Sequence, residues 1–437
     1  MLPGILILLI FLVFAGLMMT RKMAALLALP TMSFLIALVA GLFYNFKALP
    51  ADAPGPKTLQ EFLFTTVLTE GPGRLAGAMM FAIFGAILSQ LVMRAGIAQR
   101  LISVAAEYAG DRKILLAFIM TGVVAFCFTA VTGLGAVIML GSLALPIMIG
   151  AGLSADFSAC LMLFAIAIGG VFNPAILGVY QDTLGVPLET VKTYVLVYGS
   201  LLSLACVAFL AVGARSQASA FSWAAEVEEV EARPKVPTAA LLTPILPILL
   251  IMRFDVPIIP AFLVGILYGA LTTTPTTAVN AITAATLEGL KDISPVIGLF
   301  MGIGMALNAM MADPTKAVMA PFLQAIIPNS PIGFVVFFTI LAPLALYRGP
   351  FNFFGLGAGL AALILGTGLL PPVAVMGAFF AVGQIQGVCD PTNTSNVWLA
   401  QFSKSSTEVF LKKTLPYVWA FVAAALCYAA FVGHALG

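Results

Sequence analysis

"YRGPFNFFGLG", residues 347–357, stands between two runs that hydrocarbon would accept, "IGFVVFFTILAPLAL" (332–346) and "AGLAALILGTGLL" (358–370). An arginine, three glycines, a proline and an asparagine between such runs interrupt a helix at the depth of a membrane. Lipid offers no hydrogen bonds to the freed backbone, so protein, water or a ligand must satisfy it. The stretch therefore predicts the tip of a re-entrant hairpin rather than a plain crossing.

The rest of the chain supplies the membrane. Hydrophobic residues make up 62% of 437 positions and charged ones 9%, against roughly 45–50% and 25% in a soluble domain. About ten apolar stretches are each long enough to cross roughly 30 Å of hydrocarbon as a helix. A β-barrel would alternate apolar and polar residues, and "MLPGILILLIFLVFAGLMM" does not. The expected fold class is an all-α polytopic membrane protein. The first run lacks a preceding basic residue and a small-residue cleavage site, so it reads as a span and not a signal peptide. Five cysteines without CxxC spacing imply neither a disulfide framework nor a zinc site. A single histidine, His434, argues against enzymes built on histidine clusters. The net charge of +2 points to no particular partner; the lipid bilayer is one, and neither nucleic acid nor a cofactor is expected.

The one strongly polar internal stretch, "ARSQASAFSWAAEVEEVEARPKVPT" (214–238), divides the chain near its midpoint and reads as a cytoplasmic linker. Either side carries a similar order of elements. Gly133, Gly141, Gly150 and Gly152 recur 216 residues later as Gly349, Gly357, Gly366 and Gly368, and Gly170 and Pro174 recur 217 later as Gly387 and Pro391. Two repeats are expected, 1–213 and 239–437, each with about five transmembrane helices, a re-entrant hairpin (about 114–150 and 331–370) and a broken helix (about 157–178 and 372–400). A hairpin that enters and leaves on one side makes the number of crossings per repeat odd, which inverts the second copy. With both termini outside, the cytoplasmic segments hold thirteen basic residues, Arg21 and Lys22 among them. The outer segments hold six, including Arg74, which agrees with the positive-inside rule. The competing layout is a twelve-span bundle without hairpins. "GIAQRLISVAAEY" (96–108) places Ile97, Leu101, Val104 and Tyr108 on one helical face and suits either an interfacial arm or an ordinary loop helix.

Four helix breaks follow: "TAVTGLG" (129–135), "GGVFNPA" (169–175), "YRGPFNF" (347–353) and "CDPTNTSN" (389–396). A helix that restarts at a break presents free N–H groups and a positive dipole end, which suit a carboxylate. The half that stops presents carbonyls, which suit a cation such as sodium. The expected substrate-binding residues are Thr129, Thr132, Gly133, Asn173, Arg348, Gly349, Asn352, Thr392, Asn393, Thr394, Ser395 and Asn396. Arg348 is the one basic residue at a hairpin tip. Its planar fork can hold a carboxylate through two bonds, or it can snorkel to the outer interface or pair within the protein. Asp390 is the one carboxylate in a broken span and has three open roles: coupling proton carrier, cation ligand, or counter-charge to Arg348. Gln384 and Gln386 approach the same break and join it as coupling-ion candidates. Tyr180 and Asp182 follow the first break and are expected near the outer surface. No protein metal site is expected beyond a coupling sodium at the breaks.

This layout resembles the ion transporter superfamily, which contains gluconate, citrate and C4-dicarboxylate carriers. The likeness rests on "FGAILSQLVMRAGIAQRL", the hairpin "TAVTGLG", the broken span "GGVFNPA" and their duplication. Thr394, Ser395 and Asn396 are similar to the Ser-Asn-Thr motif of dicarboxylate members in altered order, while the first repeat has "FNPA" at that place. The resemblance implies a homodimer with a scaffold (about 3–44 and 239–273) and a transport domain (about 76–213 and 292–437) that moves against it. The leading expectation is a secondary active carrier of a small organic anion, a carboxylate or sugar acid, coupled to protons or sodium in a cell inner membrane. The absence of a GxxxxGK[ST] sequence argues against a built-in ATPase. A cation/proton antiporter using Asp390 is the alternative. A channel, or an enzyme for which Ser395 has no nearby base, stands further off.

Overall fold

The computed structural model describes residues 2–48, 55–110, 112–216, 236–328 and 330–433. Among these residues there is no strand, and nine helical segments are long and apolar enough to cross a membrane, or ten if one bent pair counts as a span. Most of the predicted linker and His434 lie outside the described residues.

The chain begins with α1 (Leu2–Met19) and α2 (Ala25–Leu42), whose outward faces stay apolar through Ile5, Leu9, Leu12, Leu26 and Leu27. Residues 61–94 form one helical run, a π-helix Glu61–Glu70, a 3-10 turn Gly71–Gly73 and α3 (Ala76–Arg94). From the sequence the span is expected near 76–93, because Glu61, Glu70 and three threonines make the part before it read as polar. Arg74, assigned above to an outer segment, sits inside this run. Next come α4 (Ile97–Ala109), the pair α5 (Lys113–Phe128) and α6 (Gly133–Gly150), the pair α7 (Ala155–Val171) and α8 (Pro174–Leu184), and α9 (Leu188–Ser216).

After the linker the same kinds of element return in the same order. They are α10 (Leu246–Phe254), α11 (Ile258–Thr273), the long α12 (Ala278–Met311), α13 (Asp313–Ile326), the pair α14 (Pro331–Leu341) and α15 (Leu356–Thr367), the pair α16 (Pro372–Cys389) and α17 (Thr394–Phe402), and α18 (Thr407–Cys427). Proline at the first or second residue of α8, α14 and α16 starts each helix where no backbone donor is lost.

Close backbone approach joins the two longest runs. A Cβ at Gly304 would lie 2.2 Å from the Gly71 carbonyl, and one at Gly289 would lie 2.9 Å from the Ile87 nitrogen. In a bilayer, where apolar burial does not drive helix association, such small-residue contacts are what let helices pack. Through this seam α12 lies along both α2 and α3, and α3 also packs on α11 and α8. The α4 arm docks by Ala98, Ile102, Ala105 and Ala109. Of the face predicted for it, Ile97 is buried, while Val104 and Tyr108 are exposed, Tyr108 by 81%. The small alanines set the packed stripe there, since they permit closer approach than the larger residues one position before them.

Candidate functional site

All four breaks meet around one cavity of about 270 Å³. Thr132, Gly133 and Leu134 bring the start of α6 to it, Asn173 and Ile176 the start of α8, and Thr394 and Ser395 the start of α17. The loop before α15 adds Asn352, Phe353 and Phe354, and the end of α16 adds Gln384, Gln386 and Gly387. Helix starts carry unpaired N–H groups and the positive end of the dipole, so several of them converging make a cavity suited to negative charge.

Asparagine forms three of these breaks by the same local device. The Asn173 Oδ1 accepts from the Ala175 N–H (3.0 Å), the Asn393 Oδ1 from the Ser395 N–H (2.9 Å), and the Asn352 Oδ1 from the Phe354 N–H (3.1 Å). The first two cap α8 and α17. Each amide also makes a tie: the Asn173 Nδ2 donates to the Phe128 carbonyl at the end of α5 (3.2 Å), joining two breaks, and the Asn393 Nδ2 donates across its own break to the Gln386 carbonyl (3.3 Å). The α7–α8 pair bends by 57° at its break. Gly133, at φ +85° with nothing within 4 Å of where a Cβ would stand, gives α6 a start that faces open space.

Other predicted residues support the cavity from behind. The Thr129 hydroxyl donates to the Phe126 carbonyl (2.7 Å) and the Pro244 carbonyl (3.1 Å), which ties the α5–α6 turn to the segment before α10. Gly349 is buried with the Leu344 carbonyl 2.0 Å from where a Cβ would stand, so no side chain fits there. Asn396 is 1% exposed; its Nδ2 donates to the Val388 carbonyl (3.0 Å) and its Oδ1 has no partner.

Asp390 is fully buried and accepts four hydrogen bonds. Its Oδ1 receives the Tyr347 N–H (2.9 Å), the Thr392 N–H (2.8 Å) and the Thr392 hydroxyl (2.8 Å), and its Oδ2 receives the Arg348 N–H (3.3 Å). Tyr347 and Arg348 both have left-handed backbones, φ +55° and +57°, a conformation costing roughly 1–2 kcal/mol for a non-glycine residue. The carboxylate receives both N–H groups that this conformation turns toward it. Thus the tip between α14 and α15 is fastened to the break of α16–α17 through Asp390, by backbone bonds and not through the Arg348 guanidinium. The Arg348 side chain is exposed and lines an adjoining hollow rather than the central cavity.

Sequence reasoning missed one wall of the site. Tyr180 is 2% exposed and lines the cavity, stacked on Phe353 (4.8 Å between centroids) and Phe380 (4.6 Å). Its expected place near the outer surface fails because α8 packs its Tyr180 face against α16 and the loop before α15. The signal was available: Asn173, Ile176 and Tyr180 are spaced three and four apart, one face of a helix. Asp182, two residues on, accepts from the Ala78 N–H (2.8 Å) and lines a separate hollow with Arg74, whose guanidinium donates to the Asn308 Oδ1 (2.6 Å).

No protein-family model matches the sequence, and no curated protein does. Solved structures do. The YdaH transporter of Alcanivorax borkumensis, described as having an unusual topology, superposes with a TM-score of 0.63 at 14% identity over 100% of this chain and 99% of its own. MtrF of Neisseria gonorrhoeae, described with a class of antimetabolite efflux pumps, superposes with a TM-score of 0.50 at 13% identity over 98% and 95%. At such identity the likeness is one of fold. The chain has the all-α, polytopic architecture of solved membrane transporters, with broken helices at its centre.

Proposed function

We propose that this protein is a secondary active transporter of a small organic anion, a carboxylate or sugar acid, coupled to protons or sodium. The observation that carries the reading is the meeting of four helix breaks around one cavity, with the starts of α6, α8 and α17 on its wall. Such starts bind carboxylates without a fixed cation. The fold of a protein described as a transporter and of one described as an efflux pump supports a transport role.

The recurrence of element order supports two inverted repeats joined by a cytoplasmic linker, with the thirteen-to-six bias in basic residues favouring both termini outside a cell inner membrane. In this reading a body containing the four breaks, from α5 to α9 and from α14 to α18, moves against a scaffold of α1, α2, α10 and α11, as in other inverted-repeat carriers. The long helices α3 and α12, of which α3 and the part of α12 from about 292 were assigned above to the moving part, pack on α2 and α11 as well as on α8 and α15 and are proposed as the surface along which it slides. The exposed apolar faces of the scaffold would serve a homodimer. Among the coupling-ion candidates, the four donors on Asp390 favour a positioning role for it, while Gln384 and Gln386 face the cavity.

Reconstitution tests the reading. Liposomes carrying the protein are expected to accumulate at least one carboxylate when a proton or sodium gradient is imposed, and not without it. Gln384→Ala or Ser395→Ala should raise the half-saturating concentration roughly tenfold, the effect of about 1.4 kcal/mol from one hydrogen bond to a charged ligand. Anion movement that ignores both gradients and appears as single-channel current would replace the carrier with a channel.

A further inference from the structure

Beside the central cavity lies a second and larger hollow of about 500 Å³, and Leu134 and Thr394 line both. The two are successive compartments along one broken helix: residues 380–387 of α16 face the first, and Thr392, Trp398 and Gln401 face the second. Arg21, from the turn between α1 and α2, and Arg348, from the turn before α15, complete the wall of the second.

Both arginines are exposed, no acidic residue lines the hollow, and neither guanidinium has a hydrogen-bond or ion-pair partner among the described residues. Both also have left-handed backbones, φ +59° at Arg21 and +57° at Arg348. Backbone of that kind in a bulky residue persists where its surroundings fix it, and it gathers at functional sites. For Arg348 the fixing group is Asp390. Two guanidiniums facing one hollow, against the single carboxylate of Asp390 buried behind Arg348, leave it net positive between low-dielectric walls and raise the local concentration of anions, and each planar fork matches an oxyanion through paired bonds.

We propose that this hollow is a second anion site, in which Arg21 and Arg348 hold a carboxylate- or phosphate-type oxyanion ahead of the central cavity. Its loading role rests on the transport reading above; the binding itself does not. A soluble anion and an anionic lipid headgroup present the same chemistry, and lipid composition separates them.

Trp398 in the wall provides the probe. In a Trp223→Phe/Trp419→Phe background, held in zwitterionic nanodiscs at low ionic strength, Trp398 fluorescence is quenched with iodide and, separately, with caesium. The iodide-to-caesium ratio of quenching constants, divided by the same ratio for free N-acetyl-tryptophanamide, is expected to be roughly three or more, because the local potential concentrates anions; this normalised ratio is the preference read below. Arg21→Gln combined with Arg348→Gln should remove the preference, while Arg21→Lys combined with Arg348→Lys should keep it and guard against misfolding. A normalised ratio near one, or a preference indifferent to the glutamine pair, would overturn the site. Loss of the preference on adding phosphatidylglycerol to the discs would give the site to lipid headgroups and overturn the loading role. An iodide preference in a protein that moves no anion would leave this site standing while the transport reading falls.

Discussion

The tip between α14 and α15 is held by one buried carboxylate, Asp390, and its hydrogen bonds predict how it fails. In Asp390→Asn one acceptor oxygen becomes an NH₂ group that faces backbone donors. Leaving buried groups unsatisfied costs about 1–3 kcal/mol each, so the variant is expected to lose at least that much stability, read as a lower apparent melting temperature. Thr392→Val removes one of the four donors and leaves the carboxylate satisfied by the rest, so its loss should be nearer 1 kcal/mol, on the order of a single hydrogen bond. If Asp390 instead carried the coupling proton, Asp390→Asn would melt like the wild type and lose only the pH dependence of transport. The residue at the tip that looked most informative in the sequence, Arg348, faces the adjoining hollow and not the central cavity. Sequence position predicted that it would stand at a tip; which compartment the tip faces depends on the fold of all the other helices.

At the scale of the element, three asparagines do the same work at different depths, and burial ranks them. Asn173 is fully buried and its amide satisfies the Phe128 carbonyl, whereas Asn393 is half-buried. Asn173→Ala is expected to cost a cap of about 1 kcal/mol plus the orphaned carbonyl, about 2–3 kcal/mol together. Asn393→Ala should cost about 1 kcal/mol, and comparing the two melting temperatures checks the order. The seam between the two long runs is stricter. Gly304→Ala puts a methyl 2.2 Å from the Gly71 carbonyl and should prevent folding, read as loss of monodisperse protein, while Gly122→Ala, with nothing within 4 Å, should be tolerated. Helix breaks were legible in the sequence because glycine, proline and asparagine side by side leave few other conformations. The first part of the third span was not, since threonine and glutamate in a π-helix resemble a loop when only hydrophobicity is read. Tyr180 was missed for a related reason: an aromatic beyond a break takes its environment from the direction of the second half-helix, which composition does not encode.

For the whole molecule, in the reading proposed above, a body that carries the breaks moves against a frame of α1, α2, α10 and α11. An ion pair joins the two. Buried Lys192 at the start of α9 pairs with Glu189 (2.8 Å) and with Asp255 (2.5 Å), before α11. If the body moves, the Lys192–Asp255 pair lies across the moving boundary, and Asp255→Asn should change the rate of exchange between inward- and outward-open states more than the affinity for the anion. The measurement to make first is thermal stabilisation of the purified protein by a panel of mono-, di- and tricarboxylates and sugar acids, each with and without sodium and at two pH values. A ligand at about 100 times its Kd adds roughly 2.7 kcal/mol to the native state. The account predicts that at least one carboxylate raises the melting temperature of the wild type and that Ser395→Ala or Tyr180→Phe reduces the shift. A panel in which no anion stabilises the protein, while sodium or pH alone does, would contradict it.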